Sequence, residues 1–220
     1  MAAGRPHQTG NEVHVREALP RLHAITDERI ARRPPPDVES VASALAQGGG
    51  NDLAIHARGR ELTGLEHYDL ARRLSVLPSR LFVNDRLDVA LSVPTAGVQL
   101  GHGSLSVSAA RALNPLWWIG KSVHSLSEAE AARAEGADYL VVGPVFATAS
   151  HPGRQALGVA RLQQIVAAAA ELPVIAIGGI TVDRVQAVLG SGAYGIAAIR
   201  ALWDDAEPAE AARRMREWMS

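Results

Sequence analysis

Val174-Ile175-Ala176-Ile177-Gly178-Gly179-Ile180-Thr181 is the stretch on which the fold turns. Four apolar residues in unbroken succession read as a strand buried on both faces, because a strand with one wet face alternates apolar and polar positions. Two glycines stop it, and Thr181 can cap a helix beginning Val182-Asp183-Arg184. A buried strand running straight into a helix is half of a parallel β–α repeat.

The same texture recurs in both directions. Upstream lie Leu22-His23-Ala24-Ile25-Thr26, Leu53-Ala54-Ile55-His56, Leu81-Phe82-Val83-Asn84-Asp85, Gly97-Val98-Gln99-Leu100, Trp117 to His124 and Tyr139 to Phe146; downstream lies Gly195 to Arg200. Helical stretches fall between them. Thr63-Gly64-Leu65-Glu66 and Ser125-Leu126-Ser127-Glu128 match the capping box, in which a hydroxyl and a carboxylate satisfy free backbone N–H groups. Asp37 can cap a helix from Val38 to Gln47 that stops at Gly48-Gly49-Gly50, a short helix follows Arg86, and residues 207–219 read as a closing helix. Eight strands alternating with about eight helices in roughly 200 residues predict the α/β class and a single (β/α)8 TIM barrel. A doubly wound open sheet is disfavoured because the first strand ends Ile25-Thr26-Asp27, without G-x-G-x-x-G. The barrel domain is predicted over residues 20–220. Residues 1–19, polar and without period, are expected to be a flexible tail or a short helix.

Composition narrows the function. The 220 residues carry 22 basic and 23 acidic side chains, net charge −1, which gives no electrostatic reason to expect nucleic acid or an anionic membrane as partner. The absence of cysteine excludes disulfides, thiolate catalysis and sulfur-held metals. No apolar run approaches the roughly 20 residues of a membrane span. MAAGRPHQTG has no apolar signal core, so a cytoplasmic protein is expected.

In such a barrel the chemistry sits at the carboxyl ends of the strands. The strand ends here are polar: Thr26 and Asp27; His56, Arg58 and Arg60; Asn84 and Asp85; Gln99 and His102; Ser122 and His124; Gly143 to Thr148; Gly178 and Gly179; Ile199 and Arg200. Gly178-Gly179 and Ile199-Arg200 end neighbouring strands, where barrels often bind phosphate through backbone N–H groups; two glycines also suit a tight turn. Ser122 and His124 share a strand face, which places His124 as a candidate acid/base or, as readily, as a histidine bonded to a nearby carbonyl. The same alternation turns Lys121 toward the helix layer. Arg58 and Arg60 suit a carboxylate or phosphate, or a solvated loop. Asn84-Asp85 could offer oxygen to Mg²⁺, but one carboxylate makes a poor dedicated site, and Asp85 can equally cap the next helix. Arg154 lies on the loop after the sixth strand, of a kind that closes over substrates or is simply mobile.

Read together, Leu22 to Asp27, Asn84 to Leu91, Gly97 to Leu100, Gly143 to Thr148 and Ile175 to Ile180 resemble the thiamine phosphate synthase superfamily over residues 21–203. Gly120-Lys121-Ser122-Val123-His124-Ser125-Leu126 and Gly103-Ser104-Leu105-Ser106 are similar to its thiazole tautomerase branch. The synthase pattern of Gln, Arg and Lys on strand two corresponds to His56, Arg58 and Arg60, and its second acidic Mg²⁺ ligand corresponds to Ser104. The resemblance therefore implies an isomerase. It would convert a 5(2H)-ylidene carboxythiazole ethyl phosphate to aromatic 2-(2-carboxy-4-methylthiazol-5-yl)ethyl phosphate, with His124 moving the proton and no metal or cofactor. Gly178, Gly179, Ile199 and Arg200 would take the phosphate, Arg58 or Arg60 the carboxylate, and Asn84, Ser122 and Thr148 would line the site. The thiazole phosphate is the expected small-molecule partner, with a homodimer as the expected assembly. The alternatives are Mg²⁺-dependent thiamine phosphate synthase, coupling a pyrimidine pyrophosphate to thiazole phosphate, and a non-catalytic phosphate-binding barrel.

Overall fold

In the computed structural model, which describes residues 17–35, 37–148, 153 and 155–219, eight parallel strands close into one barrel in chain order. They are β1 (Leu22–Ile25), β2 (Leu53–Ala57), β3 (Arg80–Asn84), β4 (Gly97–Leu100), β5 (Trp118–Val123), β6 (Tyr139–Val142), β7 (Val174–Ile177) and β8 (Gly195–Ala198). The barrel closes where Ile196 and Ala198 of β8 pair with Leu22 and Ala24 of β1. The single (β/α)8 TIM barrel predicted from the sequence is the observed fold. The expectations for residues 1–16 and Arg154 lie outside the described residues. Residues 17–19 form no helix, and Leu19 is buried, its carbonyl accepting the Tyr194 hydroxyl at 2.6 Å.

The helices are α1 (Glu28–Ala31), α2 (Asp37–Gly49), α3 (Gly64–Ser75), α4 (Leu87–Ser92), α5 (Val107–Leu113), α6 (Leu126–Ala134), α7 (Gly158–Ala169), α8 (Val185–Leu189), α9 (Arg200–Trp203) and α10 (Pro208–Glu217). Both arms of the Thr63–Glu66 capping box form. The Ser125 box forms by half. Ser125 Oγ accepts the Glu128 N–H at 3.2 Å, but the Glu128 carboxylate reaches one residue further back, to the His124 N–H at 2.7 Å. Helix α2 runs through Gly48 instead of stopping there. A Cβ at Gly48 would sit 1.9 Å from the Ala209 carbonyl, so glycine lets α10 pack directly onto α2. Strand β6 ends at Val142, short of Phe146, because Pro144 has no N–H with which to continue the ladder.

The barrel interior is filled by unequal partners. His23, His56, Phe82 and Tyr139 are wholly buried and pack ring to ring, with His56 stacked on Phe82 at 5.1 Å and Phe82 edge-on to Tyr139 at 6.0 Å. Space for Tyr139 comes from Gly120 beside it on β5, where a Cβ would lie 2.2 Å from the Tyr139 ring. Burying an aromatic ring removes about 150–250 Å² from water, worth about 4–6 kcal/mol at ~25 cal/mol per Å². This plug closes the lower barrel, so a ligand can enter only from the carboxyl ends. Among the described residues no helix is long and apolar enough to cross a membrane.

Candidate active site

The strand carboxyl ends open onto a cavity of about 1260 Å³, above the usual range for one small ligand. Arg58, Arg60, Asn84, Ser122, His124, Thr148, Gly178, Gly179, Ile199 and Arg200 all line it. The sequence expectation thus gathers at one place, and each residue arrives there for a local reason.

Gly178 and Gly179 turn the chain out of β7 with φ of 102° and 63°, which side chains rarely adopt. A Cβ on Gly179 would also meet the Ala147 carbonyl at 2.6 Å. The glycines therefore serve the turn whatever binds there, and the turn brings bare backbone to the cavity wall. Beside it, α9 begins at Arg200 without a side-chain cap, leaving the first N–H groups of its opening turn without intrahelical acceptors. The two loops lie together in the cavity wall.

Across the mouth, Thr26 fixes the exit of β2. Its hydroxyl accepts the Arg58 N–H at 2.8 Å and donates toward the Arg58 carbonyl at 2.7 Å. Glu28 grips the next residues, accepting the Arg60 N–H and the Glu61 N–H. Burial pulls the Arg58 pKa down, and the like charge of Arg60 adds to this against Glu28, Asp85 and Asp27. A guanidinium held this way gains by meeting an anion.

His124 leaves β5 as predicted. Its Nδ1–H donates to the Gly143 carbonyl, which makes Nε2 the basic nitrogen of the ring. Ser122 below it accepts from Gln99 Nε2 at 3.0 Å. Lys121 points away from the cavity and reaches the Gly101 carbonyl at 3.4 Å.

Asp85 does not cap α4, whose N-cap is Arg86, and it lies exposed on the cavity wall as the one carboxylate at this strand end. Held at φ 63°, it turns sideways, and its Oδ1 accepts the Gly101 N–H at 2.8 Å and the Ser104 hydroxyl. Asp88 is held by Arg86. Among the described residues no three histidines or carboxylates gather to hold a metal ion. These donors do not fit a protein-held Mg²⁺, which wants several free oxygens in an octahedron.

Five of the strand-end residues stay out of the cavity: Val145, Phe146 and the three that follow. His56 is wholly buried between His23, Phe82 and Asn84. Thr26 staples loops, and Asp27 caps α1 by accepting the Ile30 N–H at 2.9 Å. Sequence reasoning missed Arg184. It donates to the Gly179 carbonyl at 2.6 Å and lies 4.7 Å over the Phe146 ring, bracing the glycine turn against the loop after β6. Nothing in the sequence pattern marks that contact.

A (β/α)8 barrel whose strand ends open onto one large cavity lined by polar side chains has the architecture of a barrel enzyme. Residues 22–202 match the thiamine monophosphate synthase family, and the chain belongs to that family. It is 42% identical over 207 residues to the thiamine-phosphate synthase of Salinispora tropica, covering 91% of this chain and 97% of the relative. To that of Pyrococcus abyssi it is 38% identical over 206 residues, covering 92% and 95%. The thiamine phosphate pyrophosphorylase structure from Pyrococcus furiosus superposes with a TM-score of 0.76 at 36% identity, over 90% of this chain and 95% of that one. The chain is accordingly an enzyme of thiamine biosynthesis. These relatives overturn the tautomerase expectation, and with it the isomerase class. That expectation rested on two short segments, Gly103 to Ser106 and Gly120 to Leu126, and one missing carboxylate, whereas the similarity to synthases runs the length of the barrel.

Proposed function

We propose that this chain is a thiamine phosphate synthase, coupling 4-amino-5-hydroxymethyl-2-methylpyrimidine pyrophosphate to thiazole phosphate. The CH2–O bond of the pyrimidine ester breaks with its electron pair leaving on pyrophosphate, and the thiazole ring nitrogen gives its lone pair to the new C–N bond. The observation that supports this reading is one cavity with groups suited to anions at two ends, Arg58 and the Gly178-Gly179 turn, in a chain 38–42% identical to synthases. The reaction needs two such ends, one for each phosphate ester.

Arg58 is assigned to the pyrophosphate, where it meets charge that grows as the bond breaks. The Gly178-Gly179 turn and the start of α9 are assigned to the thiazole phosphate. Thr148, Ser122 and Asn84 line the space between, where the two reacting atoms are held together; such placement supplies much of the rate in a reaction with little acid–base chemistry. His124 lines the wall, and the bond exchange asks no proton of it. No step is derived through a metal, because the side chains do not build a site for one.

The test is direct synthesis: thiamine phosphate produced from the two substrates in Mg²⁺-containing buffer, read as thiochrome fluorescence. Arg58→Ala removes a charge-assisted contact worth about 2–3 kcal/mol, so kcat/KM should fall roughly 30- to 150-fold. His124→Ala should cost less than tenfold. No thiamine phosphate from the wild type sinks the reading.

A further inference from the structure

Beneath the cavity floor a chain of hydrogen bonds crosses the barrel through two histidines outside the cavity and ends on Asn84, which lines it. His23 Nε2 lies 2.9 Å from the Pro20 carbonyl, His23 Nδ1 lies 2.8 Å from His56 Nε2, and His56 Nδ1 lies 2.9 Å from the Asn84 side-chain oxygen position, Oδ1. Both rings are wholly buried, whereas Asn84 reaches the cavity. Three contacts of hydrogen-bonding length each need one proton.

The Pro20 carbonyl can only accept, which puts the His23 proton on Nε2. His23 Nδ1 is then an acceptor, so His56 must donate from Nε2. A neutral His56 therefore presents a bare Nδ1, which only a donor can satisfy. The Asn84 oxygen is not a donor; its NH2 is, and a half-turn of the amide exchanges the two. Keeping the oxygen against His56 would demand a third ring proton, and so an imidazolium in a core with no carboxylate in contact. Burial opposes that charge at both rings, and the cations Arg58 and Arg80 oppose it further.

We propose that the neutral His23–His56 pair is a positioning device that holds the Asn84 NH2 against His56 and aims its carbonyl oxygen into the cavity. Asn84 then takes an N–H or O–H donor of the ligand, not a phosphate oxygen, and sorts the ligand's neutral end from its anionic end. Naming the donor as the exocyclic amine of the pyrimidine rests on the synthase reading; the orientation of the amide does not.

Nitrogen-15 histidine spectra of the whole wild-type chain at pH 7 decide the orientation. Both rings are expected neutral with the proton on Nε2, and an Nδ1–H tautomer or an imidazolium at either ring overturns the proposal. His56→Phe keeps the stack on Phe82 and releases Asn84. In calorimetric titration it should weaken the aminopyrimidine pyrophosphate about tenfold and leave inorganic pyrophosphate within twofold. Equal weakening of both, or of neither, overturns the assigned role. A wild type that binds the two probes alike instead overturns the synthase reading, and the tautomer measurement still decides the proposal.

Discussion

His56 and Arg58 sit two residues apart on one strand face and meet opposite fates, a difference of height inside the barrel and not of direction. His56 lies at the level of the Phe82 plug, and burial, first among the causes, pulls its pKa down from 6.5 to about 4. The sign of the consequence follows from linkage. Above 6.5 the ring is neutral both folded and unfolded. Below it the unfolded chain takes up a proton that the native ring refuses until about pH 4, so stability falls as the pH drops through that window. His56 accounts for about 3 kcal/mol of the loss, and His23 shifts in the same direction. Urea midpoints measured at pH 7 and near pH 4 should show the decline, with a shallower one in His56→Phe. An equal decline in both proteins would remove His56 from the account.

The elements show where the sequence was legible. Strand centres could be read because eight buried parallel strands leave unbroken apolar runs, and Gly97–Leu100 is recovered to the residue. Ends were harder. Apolar character persists past Val142 into a segment that packs against β7 without remaining a strand. The candidate site was legible in position but not in pairing. Side-chain alternation placed Ser122, His124 and Arg58 toward the mouth, while the depth of His56, the sideways turn of Asp85 and the reach of Arg184 depend on neighbouring strands. The Thr63 cap is a local feature, and its cost can be forecast locally. Thr63→Ala should lose about 1 kcal/mol, a drop in melting temperature of about 2–4 °C in a domain of this size. Differential scanning calorimetry checks it, and an unchanged midpoint would mean that α3 is held by its buried face alone.

For the molecule as a whole, closure is the property on which everything else depends. The seam between β8 and β1 passes Gly195, where a Cβ would lie 2.2 Å from the backbone carbonyl of Arg21. Neither side is a flexible side chain that could yield, so Gly195→Ala should cost at least about 3 kcal/mol. Gly103→Ala, with nothing within 4 Å of its added carbon, should stay within about 0.5 kcal/mol. Chemical unfolding of the two variants side by side makes the comparison, and equal midpoints would show that the seam relaxes.

The cavity draws its wall from the ends of all eight strands, from Ile25 at the end of β1 round to Ile199 after β8. Apart from the longer segment between β6 and α7, each contribution sits on a strand end, a short connection between a strand and the next helix, or the first turn of that helix. A directed-evolution library can therefore randomise one connection at a time, sparing the ties between neighbours such as Thr26 with Arg58 and Asp85 with Ser104. Selectivity for one ester could be retuned without dismantling the grip on the other, which makes this small barrel a modular chassis for new condensations.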